Sequence, residues 1–98
     1  MFARTTTLFI KVDKIDEAIA IYKESVIPAA RKQKGFRMAT LLADRESGKG
    51  ISITFWDTEA DAVANEENLY YQDQLVKFMN LYSAPPVREG FEVAVESR

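Results

Sequence analysis

The sequence predicts an α+β fold of order βαββαβ, a four-stranded antiparallel sheet with two helices on one face. Three observations predict it. Short β-branched and aromatic runs recur near both ends and in the middle of the chain. Two segments between them carry apolar residues at helical 3–4 spacing. The two middle runs are joined by RESGKG alone, a turn-rich segment with no room for a helix.

Residues 5–12, TTTLFIKV, suit a strand. Asp13 then offers a side-chain oxygen as an N-cap. From there Ile15, Ala18, Ile19, Tyr22, Val26 and Ala29 share one helical face, and Lys14, Asp16, Glu17, Lys23 and Glu24 mostly fall elsewhere. Pro28 lacks a backbone donor and predicts a kink, and Gly35 a stop. Residues 36–44 and 51–57 read as a hairpin. Within it SGKGIS is no phosphate loop, because Ala43 stands where the first glycine is needed and a strand follows.

Thr58 starts the second helix, with acids in its first turn. Ala60, Val63 and Ala64, then Tyr71, Leu75, Phe78, Met79 and Tyr82, fit one face, and Pro85-Pro86 ends it. Residues 87–96 form the last strand, alternating from Phe91 to Glu96. Strands and helices in this order give the ferredoxin-like split βαβ arrangement.

Composition bounds the function. Ninety-eight residues, 47% of them hydrophobic, suffice for one domain over residues 1–98 with one core. The chain has no cysteine and no histidine, which removes disulfides, Ser-His-Asp and Cys-His catalysis, and His-ligated zinc or haem. Proton transfer falls to Asp, Glu, Tyr, Lys or the substrate. Net charge is −2, and the one basic cluster, Arg31, Lys32, Lys34 and Arg37, sits at a helix C-terminus, where cations offset the dipole. No nucleic-acid partner is expected. No stretch reaches a membrane span and the N-terminus lacks a signal peptide, so a cytoplasmic protein is expected.

Two helices cover one sheet face only. One strand parity holds Leu8, Ile10, Val12, Ile51, Ile53, Phe55, Phe91, Val93 and Val95, the better candidate for the core. The other holds Thr5, Thr7, Phe9, Arg37, Ala39, Leu41, Ser52, Thr54, Trp56, Glu92 and Ala94. A water-facing sheet is normally more polar than one carrying Phe9, Leu41 and Trp56. A second copy, packed face to face across a two-fold axis, is the expected cover.

The segment IPAARKQKGFRMATLLADRESGKGISITFWDTEADA, residues 27–62, resembles the antibiotic biosynthesis monooxygenase superfamily of dimeric α+β barrel proteins. It runs from a helix ending near a proline through Gly-Phe, a strand, an Asp-Arg turn and a strand ending in Trp-Asp-Thr-Glu. The flanking elements agree in order and length. The resemblance implies a homodimer through the open sheet face. It also implies the activity of some members, oxidation of aromatic molecules by O₂ without metal or flavin. Cofactor-free members use an Asn and a Trp four residues apart on one strand. Trp56 matches the Trp, and Ser52 stands at the Asn position, able to hydrogen-bond but without the amide's paired donor and acceptor. Haem-degrading members need a histidine, which this chain lacks, so no cofactor and no metal are expected. In such enzymes the Trp faces a cavity between sheet and helices, whereas the alternation sets Trp56 on the partner side. Both placements stay open.

In the second helix the apolar stripe is interrupted at Glu67 and Asn68. Either these point inward, or the helix breaks near Asn68-Leu69, which is the favoured reading. The expected pocket is lined by Trp56, Thr54, Ser52, Tyr71, Asn68 and Phe78, with Tyr22 closing it. Trp56, Ser52 and Tyr71 are the candidate catalytic residues, with Tyr71 the proton donor. Thr54, Asn68, Phe78 and Tyr22 are ligand-binding. The expected function is cofactor-independent monooxygenation of a small aromatic substrate. The alternatives are a non-catalytic homodimeric module binding a small apolar ligand, and an interaction protein with a filled core.

Overall fold

The structure, a computed structural model, describes residues 1–97. Strand β1 (Phe2–Ile10) leads through a 3₁₀ turn (Val12–Lys14) into helix α1 (Ile15–Ile21), a π-helical turn (Tyr22–Val26) and helix α2 (Ile27–Ala30). The hairpin β2 (Phe36–Ala43) and β3 (Lys49–Trp56) follows. Helices α3 (Glu59–Glu67) and α4 (Tyr70–Val76), a 3₁₀ turn (Met79–Leu81) and strand β4 (Tyr82–Glu92) complete the order. The sheet order is β2-β3-β1-β4, every neighbouring pair antiparallel. β1 and β2 therefore run parallel with β3 between them, and β3 and β4 parallel with β1 between them, which is the split βαβ topology.

Helix starts follow local chemistry. The Thr58 side chain accepts from Asp61 N at 3.1 Å, the cap read from the sequence. Asp13 makes no such cap, because the chain enters α1 through the 3₁₀ turn and Asp13 lies exposed inside it. Pro28 stands at the start of α2, and the missing donor is accommodated by the wide π-helical turn just before it. The buried positions are Ile15, Ala18, Tyr22, Val26 and then Ala30, not Ala29. The helical pair closes over Leu8, Ile10, Phe78 and Leu81, with Ala39 and Leu41 packed alongside.

The strand faces differ from the alternation reading. The register pairs Thr6 with Ser52 and Leu8 with Gly50, so the even-numbered residues of β1 and β3 share one face. Leu8 and Ile10 face the helices as expected, but in company with Ser52, Thr54, Trp56 and Leu41. Ile51, Ile53, Phe55 and Phe91 lie on the opposite, open face with Thr5, Thr7 and Phe9. The reading failed because alternation fixes the two faces of each strand but not which face matches its neighbour's. Val12, in the turn after β1, is exposed, and Val93 and Val95 lie beyond β4.

The expected break near Asn68-Leu69 is present, and two boundaries beyond it differ from expectation. The second helix breaks at Leu69, the one non-glycine residue with positive φ (68°) among the described residues, and ends at Val76 rather than at Pro85. Glu67 and Asn68 turn outward at the break. The inner face of α3 is Ala62 and Asn65, while Ala60 and Ala64 are exposed. β4 begins at Tyr82 and runs through Pro85-Pro86, because it is an edge strand and the β1–β4 register shifts between Thr7 and Phe9, where the prolines sit.

Candidate functional site

The site grows from the helix-covered face of β1 and β3. Trp56, at the end of β3, is 1% exposed and meets Phe36 edge-on, ring centroids 5.7 Å apart. The indole Nε1 donates to Thr54 Oγ1 at 2.9 Å. Two residues earlier on the same face, Ser52 Oγ shares a hydrogen bond with the Tyr22 hydroxyl at 3.0 Å. The π-helical turn carries Tyr22 to this point, and its hydroxyl also donates to Thr40 O at 3.3 Å. From above, α4 lowers Tyr71 onto Thr6 of β1, the two hydroxyls 2.8 Å apart. The Tyr70 hydroxyl donates to Val26 O at 3.4 Å, and Ser25 Oγ to Gln74 Oε1 at 3.1 Å, so α4 is tied to the first helical segment.

Between these groups lies a cavity of about 50 Å³, walled by Trp56, Phe78, Leu75 and the tyrosines. A space this size holds several waters and is no mere packing defect, one water needing roughly 10–15 Å³ by the same measure.

Six of the seven residues singled out from the sequence, Trp56, Ser52, Tyr71, Thr54, Phe78 and Tyr22, line this one cavity. Asn68 does not. It is exposed at the helix break, donates to Gln33 Oε1 at 3.0 Å and accepts from Tyr70 N at 3.0 Å, so it caps the start of α4. The amide in the wall is instead Asn65, 4% exposed, whose Nδ2 donates to Ala62 O one turn back. Arg4, Thr6, Tyr70 and Gln74 also line the cavity and escaped the sequence reading. Arg4 and Thr6 come from the first residues of β1, where alternation alone does not say which side meets the helices.

Electrostatics follow from burial. Desolvation pushes the Tyr22 phenol up, partly offset by Ser52. The Tyr71 phenol is likewise raised by burial, against the lowering pull of Thr6 and Arg88. Burial and then Tyr22 hold the Tyr70 phenol far above its ordinary value. Burial, with Tyr71, pushes Tyr82 up to about 12. All four phenols are therefore protonated at neutral pH. They donate protons or hydrogen bonds and do not serve as bases. Among the described residues no cluster of three His, Cys, Asp or Glu side chains is placed to hold a metal. No helix among them is long and apolar enough to cross a membrane.

No family model matches the chain. An uncharacterized Mycobacterium tuberculosis protein, Rv2557, is 30% identical over 99 residues, covering all of this chain and 43% of that protein. A second from the same organism, Rv2558, is 34% identical over 58 residues, 59% of this chain and 25% of that protein. The chain thus spans less than half the length of the curated relatives it matches.

Among solved structures, the Streptomyces coelicolor monooxygenase ActVA-Orf6, determined with the ligand nanaomycin D, superposes with a TM-score of 0.77 at 16% identity, covering 99% of this chain and 92% of that one. SnoaB, a cofactor-independent oxygenase from Streptomyces nogalater, gives 0.74 at 12% identity, covering 97% and 94%. Rv0793 from Mycobacterium tuberculosis gives 0.76 at 13% identity, covering 99% and 98%. At such identities the likeness speaks for the fold, and this chain has the ferredoxin-like α+β fold of the antibiotic biosynthesis monooxygenase superfamily.

Proposed function

We propose that residues 1–98 form one domain that works as a cytoplasmic homodimer and oxidises a small, planar aromatic substrate with O₂, without metal or flavin. The observation that carries this reading is the cavity between sheet and helices, where Trp56 and Phe78 offer apolar walls and Ser52, Tyr22 and Tyr71 bring hydroxyls to one space. Apolar walls with a few hydroxyls suit a flat organic molecule, and at about 50 Å³ the space admits one only as its wall moves outward. An electron-rich phenolate reacts with O₂ at the ring carbon opposite its oxygen. The carbon–oxygen bond forms as the ring is oxidised. The O–O bond then breaks as the ring hydrogen leaves as a proton, and a second proton is delivered to the departing oxygen. One phenol and one O₂ give one quinone and one water. In this scheme Tyr71, protonated at neutral pH, supplies the proton to the departing oxygen, and a ligand that displaces water from the apolar wall limits side reactions.

A specific observation favours a second reading, a non-catalytic ligand-binding module. The pocket's hydroxyls are already paired with one another, Tyr22 with Ser52 and Tyr71 with Thr6, and the indole N–H is bonded to Thr54. A purely binding pocket needs nothing more. Incubation with a hydroxylated anthracene under O₂, followed by quinone absorbance, separates the two. Turnover that falls about a hundredfold in Tyr71→Phe, and severalfold in Trp56→Phe and Ser52→Ala, is the expected result. Binding without quinone supports the module, and rates unchanged in all three variants reject the site.

The homodimer rests on the open face. Ile51, Ile53 and Phe55 lie there with Met38, Leu42, Val87 and Phe91, the last four each about half exposed, a run of apolar side chains on one sheet face of the kind that marks an interaction surface. Light scattering at micromolar concentration is expected to give the mass of two chains. Ile53→Glu, at the middle of that face, should shift it to one, and a wild-type monomer overturns the dimer.

A further inference from the structure

The charges at the cavity edge are not balanced. Glu66, on α3, faces two guanidiniums, Arg4 of β1 at 2.8 Å and Arg88 of β4 at 2.5 Å. The Arg4 and Glu66 side chains are each 13% exposed and that of Arg88 is 44% exposed, so the cluster carries one net positive charge, with its Arg4 end held out of water and its Arg88 end half open to it. Burying an unbalanced charge is costly unless something meets it. Arg4 Nε is buried and finds no hydrogen-bond partner among the described residues. Its Nη2 is close to Glu66 Oε1, yet Oε1 also lacks an aligned hydrogen bond, so the pair is a contact of charges and not an interlocked fork.

The position of Arg4 is built. Gly90 lies directly opposite it across the β1–β4 ladder, and a Cβ there would sit 2.4 Å from Arg4 Nη1. The bare glycine lets the guanidinium lie along β4. The Phe2 ring supports it from one side, 5.3 Å from centroid to guanidinium carbon. Arg88 lies 5.6 Å over the Tyr71 ring, so the second cation is stacked on the cavity wall from behind. Arg4 itself lines the cavity that Trp56 walls. The phenols of that wall carry no charge at neutral pH and no carboxylate lines it, so the anion nearest the Arg4 cation is Glu66, outside the wall.

We propose that Arg4 is the anion-binding residue of this cavity, taking the oxyanion of a planar aromatic ligand, a carboxylate or a phenolate, whose ring lies against Trp56. The inference rests on the pocket reading above and adds the charge of the ligand to it. In a turnover that begins from a phenolate, the same guanidinium stabilises the anion that reacts with O₂.

Trp56 is the only tryptophan in the chain, so its fluorescence reports occupancy of this cavity. The probes are 2-naphthoate and its neutral analogue 2-naphthylmethanol, titrated at pH 7 in low salt. The wild-type protein is expected to bind naphthoate about tenfold more tightly than the alcohol, the size of one charge-assisted hydrogen bond. Arg4→Gln should abolish that preference and leave the alcohol unchanged. Glu66→Gln should do the opposite and tighten naphthoate severalfold, because it frees both guanidiniums. A merely structural ion pair predicts no gain from Glu66→Gln, so this variant decides even where Arg4→Gln folds poorly by circular dichroism. Equal binding of the two probes by the wild type overturns the anion site and leaves the pocket standing. No quenching by either probe overturns both readings, and naphthoate binding unchanged or weakened in Glu66→Gln overturns the anion site.

Discussion

Trp56→Ala is expected to be the most damaging single substitution outside the glycines, lowering stability by about 3–5 kcal/mol. Trp56 is the largest side chain under 2% exposed, and its loss opens a hole between the end of β3 and α3. A buried tryptophan removes roughly 200 Å² from water, which at about 25 cal/mol per Å² is near 5 kcal/mol. In a domain of this size about 1 kcal/mol moves the melting temperature by about 4–8 °C, so a fall of about 15 °C or more is expected by calorimetry. Trp56→Phe keeps the edge-on partner for Phe36 and should fall much less. A drop under about 5 °C for the alanine variant means the indole is not the packing centre of this end of the sheet.

Gly48→Ala should cost a comparable amount for a different reason. Gly48 closes the β2–β3 hairpin with φ +80°, and its carbonyl accepts from Ile10 N at 2.9 Å. A Cβ at this position would lie 2.0 Å from Ile10 O, a backbone atom that cannot rotate away. The left-handed conformation alone costs an alanine about 1–2 kcal/mol. Displacing the end of β1 adds to it, for an expected total of about 3 kcal/mol. Gly35 shares the φ of +80°, but there the nearest atoms belong to the Asp61 side chain. That side chain can swing aside, so Gly35→Ala should show little beyond the conformational cost of about 1–2 kcal/mol. Urea midpoints of the two variants measure the difference. Equal losses would mean that β1 moves as readily as a side chain.

Local chemistry was legible in the sequence, and assembly across strands was not. The Thr58 cap, the hairpin around RESGKG and the break after Asn68 each depend on a few adjacent residues, and each stands in the structure. The pairing of Ser52 with Thr6 depends on how far the hairpin and the crossover slide β3 along β1. That offset is a tertiary quantity, and both faces of the sheet are apolar enough to hide it. The same offset decided that Trp56 faces the helices. The helical face that puts Asn68 in the pocket ends one residue before it. The left-handed Leu69 turns it outward and leaves Asn65, a turn earlier, as the inward amide. Arg4, Glu66 and Arg88 come from three elements far apart in the chain, and each alone reads as an ordinary solvated charge. Pro85-Pro86 predicts the end of a helix because prolines stop helices. They were equally at home at a bulge in an edge strand.

Those prolines also bear on how the chain avoids sticking to itself. An edge strand normally offers a row of unpaired N–H groups that can template a stranger's strand, the first step toward aggregation. β4 is such an edge, and for two consecutive residues it has no N–H to offer on either side. Its outer rim is interrupted at mid-length, and a foreign strand laid along it would meet a gap in the ladder there.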